Sequence, residues 1–355
     1  MRGSNKILVI RFSAMGDVAM TAPVLKELMR NYPDTALVVV SRTLFKPFFN
    51  DIANLSFHPF EPGHQHKGFW GLIKLFLELR KHQITAVADL HNNLRSKILC
   101  LLFFLTGIKT AKIDKGRQEK AALTRKHHKI LRPIQLTVVR YAAVFKALGF
   151  PFELKNTIKE RQPETLKPER FPFIPLPKTK KWIGVSPFAQ HKQKVYPLQK
   201  TEIVLLALAN SGHQLFIFGG SAGEAETARQ WEQKHENIIS AVGKINLEEE
   251  LKLISNLDVM LSMDSSGMHL ASLKNVPVVS VWGATHPYAG FLGYGQSIND
   301  AVQTDLYCRP CAVYGNVPCY RGDFACMNNL QESVVINSVL NKISDGEKNT
   351  ISQTR

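Results

Sequence analysis

The sequence lacks the motifs that assign a nucleotide-dependent function most directly. It contains neither a G-x-x-x-x-G-K-[ST] phosphate loop nor a G-x-G-x-x-G dinucleotide motif, so the ATPase and dehydrogenase classes lose their main support. Its longest apolar run, Ile98–Leu105, is too short to cross a bilayer. Met1–Lys6 leads directly into a strand-like segment and not into a secretory signal. These absences predict a cytoplasmic protein whose five cysteines are reduced.

Acidic residues are also scarce. The chain carries 29 Asp and Glu against 45 Lys and Arg, which gives a net charge of +16. Such an excess points to an anionic partner, either nucleic acid, an acidic membrane surface or a phosphorylated substrate. The rest of the composition, 45% hydrophobic and 21% charged, is typical of a soluble globular protein, and 355 residues predict two domains.

Strand-like and helix-like segments alternate in both halves of the chain. Ile7–Phe12 and Thr85–Leu90 read as buried strands of the first half, and Trp182–Ser186 and Leu257–Met263 as strands of the second. This alternation predicts an α/β protein with doubly wound, mainly parallel sheets.

A proline-rich stretch between the two halves marks the domain boundary. We predict four parts: an N-terminal Rossmann-like domain over 1–160, a linker over 161–180, a C-terminal Rossmann-like domain over 181–330, and a final helix and tail over 331–355.

The turn Asp264–Gly267 is the strongest candidate for binding an anion. It follows a strand and begins a helix, so free backbone N–H groups and the positive end of a helix dipole meet there. A diphosphate would fit such a site, and His269 in the first helical turn adds a donor. The alternative is that Ser265 or Ser266 only caps the helix.

Asp17 follows the first strand and opens a helix. Ligands of such folds bind beyond the carboxyl ends of the strands, so we expect Asp17 and the Asp264–Gly267 turn to border one cleft. A carboxylate there can act as a general base. A helix N-cap is the alternative role of Asp17.

A basic stretch runs over 109–132, where nine Lys and Arg residues face only Asp114 and Glu119. A solvated surface is the simple explanation. Beside the apolar run Ile98–Leu105, however, the stretch suits a protein that contacts anionic lipid head groups. The apolar run by itself predicts a buried helix.

Four of the cysteines form a cluster with the spacing C-x2-C-x7-C-x6-C, at Cys308, Cys311, Cys319 and Cys326. Four thiolates could hold a structural zinc. The later spacings match no well-defined zinc module, so we expect reduced, buried thiols and no metal.

Several segments resemble one known family. Two match its terminal signatures, namely Ile7–Pro23 (ILVIRFSAMGDVAMTAP) and Asp264–His269 followed by Val278–Pro287. Three more resemble its blocks in the same order, namely Asp89–Ser96, Lys194–Pro197 and Gly243–Leu247. The chain thereby resembles the glycosyltransferase family 9 heptosyltransferases over nearly its whole length.

The resemblance implies a GT-B fold, with two Rossmann-like domains facing across a cleft, and an inverting transfer of a heptose or related sugar. The co-substrate would be an ADP-sugar, the acceptor the lipopolysaccharide inner core, and no cofactor would be required. Asp17 matches the catalytic base of the family. On the donor side, Lys194 matches a lysine on the diphosphate and Ile245 a position beside the adenine.

The remaining donor roles fall on the second signature. Ser265, Ser266 and Gly267 would offer N–H groups to the diphosphate, His269 would support it, and Asp264 would lie near the sugar. Glu224 is our candidate for the ribose, with a surface helix residue as the alternative. Candidates for contacts with an anionic acceptor are Arg95, Lys115, Arg117 and Arg140.

The family implies a cytoplasmic enzyme in peripheral contact with the inner membrane, with no nucleic acid as a partner. Two alternatives stay open from the sequence. One is a GT-B nucleotide-sugar epimerase or hydrolase, which would not need the basic surface. The other is a non-catalytic nucleotide- or RNA-binding protein, although no RNA-binding module is visible.

Overall fold

A computed structural model of the protein describes residues 5–155, 157 and 160–353, with side chains described as far as Gly346. Residues 1–4, 156, 158, 159, 354 and 355, which fall in the predicted first domain and tail, lie outside the described residues. The chain forms two compact units. The first comprises 1–117 and 135–155, and the second comprises 118–134 and 156–355.

The first unit is built on a five-stranded parallel sheet with the order β3-β2-β1-β4-β5. Its strands are β1 Lys6–Ile10, β2 Ala36–Ser41, β3 Leu55–Pro59, β4 Ala86–Asp89 and β5 Lys109–Lys112. Its helices are α1 Met15–Ala19, α2 Thr21–Asn31, α3 Gly68–Arg80, α4 Leu94–Leu105 and α6 Thr137–Leu148, with a 3-10 helix over Thr43–Phe49. Fully buried Val, Ile and Leu side chains on β1 and β2 explain why these segments are central strands.

Helices α3 and α4 pack on the same face of this sheet. Leu72, Leu75 and Phe76 of α3 share one hydrophobic cluster with Leu99 and Phe103 of α4 and with strand residues of β1, β2 and β4. The rings of Phe76 and Phe103 meet edge to face at 5.0 Å between centroids. The two helices therefore form one layer over the sheet.

The second unit has a six-stranded parallel sheet with the order β11-β10-β9-β6-β7-β8. Its strands are β6 Trp182–Ser186, β7 Gln214–Ile217, β8 Ile238–Ser240, β9 Val259–Met263, β10 Val278–Trp282 and β11 Ala301–Gln303. Its helices are α7 Leu198–Asn210, α8 Ala222–Glu232, α9 Leu247–Ser255, α10 Ser266–Leu273, α11 Ala325–Asn328 and α12 Glu332–Gln353; α5 Arg117–Thr124 begins at the last residue of the first unit. Both sheets confirm the predicted α/β class with parallel strands.

The segment 118–134 packs with the second unit, although it precedes α6 of the first. The ammonium of Lys129 donates to the carbonyls of Cys308 and Pro310, at 2.8 Å each, and the amide of Ile134 donates to Tyr288 at 3.0 Å. Five of the nine cations in the basic stretch 109–132 thus belong to a different unit from the helix α4 that precedes it.

Three local expectations differ from the structure. The helix expected from Asp17 onwards begins at Met15 and is interrupted at Met20, which separates α1 from α2. The apolar run Ile98–Leu105 is only half covered, because Leu101, Phe104 and Leu105 are exposed. The last helix spans Glu332–Gln353, so most of the segment 331–355 that was predicted as a helix followed by a tail is helix. No helix in the described ranges combines the length and apolarity needed to span a membrane.

Candidate active site

In the first unit, a buried arginine holds Asp17. Arg11 follows β1, and its Nη1 donates to the carbonyl of Leu90 at 2.7 Å. Its Nη2 forms an ion pair with Oδ2 of Asp17. The hydroxyl of Tyr141 on α6 donates to the backbone carbonyl of Asp17 at 3.3 Å. These contacts fix the Asp17 carboxylate beyond the carboxyl end of the central strand.

The second oxygen of Asp17 is available. Both polar contacts of the carboxylate with the described residues, from Arg11 and the amide of Ala14, go to Oδ2, and Oδ1 has no hydrogen-bond partner among those residues. The side chain is 28% exposed. Asp17 can therefore accept a proton from a bound hydroxyl without losing its support. The alternative, a helix N-cap, is wrong: Ala14 is the N-cap of α1, and Asp17 lies at the third helical position, where it accepts the Ala14 amide at a long 3.5 Å.

Positive charge crowds the same strand ends. Burial alone would lower the pKa of Arg11. Tyr141 and the carboxylate of Asp17 outweigh burial, so the pKa of Arg11 is raised. Burial, with the nearby Arg11 and Lys115, lowers the pKa of His91 to about 3. Burial, with Arg11 and Arg117, also lowers the pKa of Lys115. A bound anion would relieve this repulsion.

The four predicted acceptor residues divide into two groups. Arg95, Lys115 and Arg117 are exposed or half-buried and lie within electrostatic range of His91 or of one another. Arg140 is buried instead, donates from Nε to the Gln135 carbonyl at 3.2 Å, and lies 3.4 Å from Asp114. The structure thus uses Arg140 to hold the loop around Asp114.

Sequence reasoning missed Arg11 and His91. Both stand inside segments that resemble the family, yet nothing in their spacing distinguishes them from ordinary strand-end residues. His91 accepts the amide of Phe12 on Nδ1 at 3.3 Å, which joins the ends of β1 and β4.

In the second unit, the structure brings two predicted donor residues together. The Lys194 ammonium lies 3.0 Å from Oδ2 of Asp264, at the end of β9. Helix α10 begins at Ser266, and Ser265 occupies the N-cap position without a side-chain capping bond. Its hydroxyl lies 3.4 Å from that of Ser262 instead. The Ser265 side chain therefore does not cap α10, and the first N–H groups of this helix donate no capping bond to it.

Gly267 explains how the helix approaches the sheet so closely. A β-carbon there would collide with the side chain of Ser186 at the end of β6. Because glycine has no side chain, the first turn of α10 can lie directly against the end of β6. His269, in the same first turn of α10, is buried.

Two other donor candidates find less support. Glu224 accepts the amides of Gly220 and Ser221 on Oε2, at 2.7 and 2.9 Å, and forms a capping box with Ser221 at the start of α8. The structure accordingly favours the alternative of a surface helix residue. Ile245 is half-buried and immediately precedes Asn246, which caps α9.

The cysteine-rich segment, residues 308–326, packs against the turn that carries Lys194. Gly315, with φ of +74°, packs against the aliphatic stem of Lys194, so that a β-carbon would lie 2.5 Å from Cγ. The amide of Ala284 donates to the carbonyl of Gln193 at 3.2 Å, and that of Cys311 to Ala284 at 2.9 Å. The segment thereby ties the Lys194 turn to the loop after β10.

A buried guanidinium anchors that loop. Arg309 donates to four backbone carbonyls and one side-chain amide, those of Gly283, Thr304, Trp282, Thr285 and Gln303, at 2.5 to 3.0 Å. Nε and Nη1 each donate to one acceptor, and the two N–H groups of Nη2 are shared among three, those of Trp282, Thr285 and Gln303. No local sequence pattern indicates this role.

The cysteines do not assemble a metal site. All five are free, and Cys326 lies in the hydrophobic core of the second unit. Burial raises the pKa of Cys326 to about 11 despite the neighbouring Arg309. Within the described part of the chain, no three of the sulfurs lie within 4.8 Å of one another. The four-thiolate zinc alternative therefore has no geometric support.

A different group, His58, His66 and Glu78 in the first unit, does have ligand atoms within 4.8 Å of one another. The amide of Glu61 donates to Nδ1 of His66 at 3.0 Å, so the ring proton sits on Nε2 and is donated to Glu78 at 3.1 Å. A nitrogen that carries a proton cannot bind a metal. The group is a hydrogen-bonded pair of histidines on one carboxylate.

Comparison with known proteins decides the family. The sequence model of glycosyltransferase family 9 (heptosyltransferase) matches residues 72–318. The chain belongs to glycosyltransferase family 9. Among its relatives is the lipopolysaccharide core heptosyltransferase OpsX of Haemophilus influenzae, which is 24% identical over 80% of each chain.

Solved structures give the same result for the fold of this family 9 enzyme. A family 9 glycosyltransferase from Veillonella parvula matches with a TM-score of 0.75 at 17% identity, over 96% of this chain and 98% of that one. The Escherichia coli heptosyltransferase WaaC, solved with ADP, matches with a TM-score of 0.64 at 20% identity, over 95% and 99%. The predicted GT-B class and the prediction of a glycosyltransferase are confirmed.

Proposed function

We propose that this family 9 enzyme transfers a heptose from an ADP-sugar to the inner core of lipopolysaccharide, with inversion at the anomeric carbon. The observation that carries the proposal is the pairing of Lys194 with Asp264 beside the uncapped first turn of α10. A lysine and a helix N-terminus together suit a diphosphate. WaaC was solved with ADP, and OpsX is named for the lipopolysaccharide core, which supports this choice of substrates.

On the donor side, Lys194 and the N–H groups at Ser265, Ser266 and Gly267 would hold the diphosphate. As the bond between the anomeric carbon and the diphosphate oxygen breaks, negative charge grows on the departing ADP. A lysine and oriented N–H groups stabilise that charge without reorganising. Asp264 would then release Lys194 to the diphosphate and lie near the sugar, with His269 behind it.

On the acceptor side, Asp17 would be the general base. Its free Oδ1 takes the proton from the acceptor hydroxyl while that oxygen attacks the anomeric carbon, and Arg11 keeps Oδ2 in place. Arg95, Lys115 and Arg117 would bind the phosphates or acidic sugars of the core. Family membership favours this transfer over the epimerase, hydrolase and non-catalytic alternatives. We place the enzyme in the cytoplasm, in peripheral contact with the inner membrane.

Calorimetric titration with ADP, UDP, GDP and CMP tests the donor assignment. We expect selective binding of ADP, without added metal, because the proposed diphosphate ligands are a lysine and backbone amides. A preference for UDP or GDP would contradict the ADP-sugar, and binding of none of the four would contradict the donor site.

Replacing Lys194 by alanine should weaken ADP binding by about 10- to 100-fold, the worth of one charge-assisted hydrogen bond. Lys192→Ala is the matched control, since it removes the same charge from the same short turn but from an exposed side chain. Calorimetry of both variants measures the difference. Equal ADP affinities for the two would exclude Lys194 from the site.

Replacing Gly315 by alanine should weaken ADP binding by about 3- to 10-fold, because the new methyl group displaces the stem of Lys194. Gly322→Ala serves as the control: it has a similar φ of +80°, lies in the same segment, and has open space around the added carbon. Both variants carry the same backbone strain. If both lower the ADP affinity equally, strain and not Lys194 is responsible.

A further inference from the structure

The outer surface of the α3–α4 layer is unusually apolar for a face that no other described residue covers. On α3, Trp70 and Leu77 are exposed and Ile73 is half-buried, at the spacing of one helical stripe. On α4, Leu94, Leu101, Phe104 and Leu105 are exposed along the whole helix. Helices of soluble domains normally present polar side chains on this side.

The exposed stripes face the same way. Both helices bury their opposite sides against one face of the five-stranded sheet, in a single cluster. Their outward sides therefore form one surface, which we call the α3–α4 surface and define by Trp70, Ile73, Leu77, Leu94, Leu101, Phe104 and Leu105. Trp70 stands out, since it is 80% exposed while the other three tryptophans, Trp182, Trp231 and Trp282, are at most 3% exposed.

Most of the charges around this surface are positive; Glu78 of α3 is a carboxylate beside it and is paired with His58, His66 and Lys74. From Leu79 to Ile113 the sequence has six Lys and Arg residues and one carboxylate, Asp89, which is fully buried. The six are Arg80, Lys81, Arg95, Lys97, Lys109 and Lys112. Two of them, Lys109 and Lys112, lie on β5, the edge strand of the sheet. The surface thus combines apolar side chains with an excess of cations.

A groove adds to the same side of the unit. It has a volume of about 460 Å³ and runs between α4 and β5. Leu101, Phe104 and Ala111 line it together with Lys97 and Lys112. Asp89 also lines it, with its carboxylate held by the amides of His91 and Asn92 and the hydroxyl of Ser96. Apolar walls beside two ammonium groups suit an acyl chain with a phosphate near its end.

We propose that the α3–α4 surface docks on an anionic lipid bilayer. Exposed tryptophan, leucine and phenylalanine beside lysine and arginine are what a helix lying in a membrane interface requires. Each cation near an anionic lipid surface adds attraction. A second copy of the chain is the less suitable occupant, because a symmetric contact would bring the same cations of two copies together.

The α3–α4 surface lies next to the proposed acceptor site, and the role inferred from this position rests on the proposed function. Helix α4 begins two residues after Asn92, and Arg95 in its first turn lies within range of His91 at the proposed acceptor site. An acceptor anchored in the bilayer would enter that site from the N-terminal end of the docked helix.

The single exposed tryptophan makes docking measurable in the intact protein. Vesicles of phosphatidylethanolamine and phosphatidylglycerol, with brominated acyl chains, should quench Trp70 fluorescence, since bromine quenches only what enters the bilayer. Trp70→Phe should lose the quenching, because the remaining tryptophans are buried. Vesicles of phosphatidylcholine alone, with the same brominated acyl chains, should quench at least about tenfold less at equal lipid concentration. Absence of quenching in the anionic vesicles would overturn the proposal.

Flotation with the same vesicles tests the apolar contribution. Leu101→Ser with Phe104→Ser should reduce the bound fraction at least about tenfold, given the value of burying two such side chains. Ile203→Ser with Val334→Ser is the control, since both side chains are similarly exposed but lie in the second unit. Equal flotation of the two variants would contradict the assignment to this surface.

Two further measurements separate the competing explanations. Sedimentation velocity compares the unmodified protein with the Leu101/Phe104 variant. A dimer in the unmodified protein and a monomer in the variant would overturn the lipid proposal, because the surface would then be a contact between two copies of the chain. Transfer to a lipid-free core oligosaccharide should be unchanged in that variant, while transfer to vesicle-embedded acceptor falls. If the unmodified protein transfers sugar to neither acceptor, the proposed function is wrong, whatever the protein does at the bilayer.

Discussion

Replacing Asp17 by asparagine should lower the rate of sugar transfer by about 10²- to 10⁴-fold, the range that general bases contribute. Asparagine has nearly the same shape and keeps an oxygen for Arg11, but it cannot take a proton from the acceptor hydroxyl. ADP affinity should stay within about twofold, because Asp17 and the diphosphate residues belong to different units. Single-turnover transfer and calorimetry on the same preparation measure the two quantities.

Asp51→Asn is the control for Asp17→Asn. Asp51 is an exposed carboxylate of the first unit, paired with Lys26 on the surface, so its loss should leave transfer unchanged. Transfer by Asp17→Asn at the rate of the control would remove Asp17 from its role. A parallel loss of ADP binding would mean that the substitution disturbs the fold and not the chemistry.

Replacing Arg309 by methionine should destabilise the second unit by at least about 3 kcal/mol. Methionine fills part of the space but removes the donor of three buried and two part-buried acceptors, and each buried group left unsatisfied costs about 1–3 kcal/mol. Four of those acceptors lie in or next to the loop after β10, so ADP binding should weaken as well. Denaturant unfolding gives the free energy, and calorimetry gives the affinity.

Arg321→Met is the control for Arg309→Met. Arg321 lies in the same segment, but its partner is the exposed Asp323, and the pair is a surface contact. The control should unfold at nearly the wild-type denaturant concentration. If Arg309→Met unfolded there too, the five hydrogen bonds would not hold the loop as described.

The repeated strand and helix pattern made the fold class predictable. Central strands such as β1, β2 and β6 are continuous apolar runs, and a run of that kind can be recognised without the structure. The edge strands β3 and β5 were missed, because LSFHP and KTAK alternate with polar residues and are paired on one side only. Their existence depends on tertiary pairing.

The residues of the candidate site could be proposed where a motif contains them, but not where tertiary packing positions them. Asp17, Lys194 and Asp264 stand in segments that resemble the family, and the structure places Lys194 and Asp264 in contact. Arg309 reaches residues 5 to 27 positions away, which no local pattern encodes. Arg140 is a candidate acceptor contact by sequence, but it is buried and bound to Gln135 and Asp114, which sequence alone cannot show.

The most direct test of the account is transfer itself. The purified enzyme is incubated with ADP-heptose and a heptose-deficient core acceptor, and the acceptor is followed by mass spectrometry and NMR. We predict the gain of one heptose, linked with inverted anomeric configuration, and release of one ADP for each heptose added. Release of ADP without any gain of mass on the acceptor would contradict the account, since it would mean a hydrolase. Retention of the anomeric configuration would equally contradict the role given to Asp17.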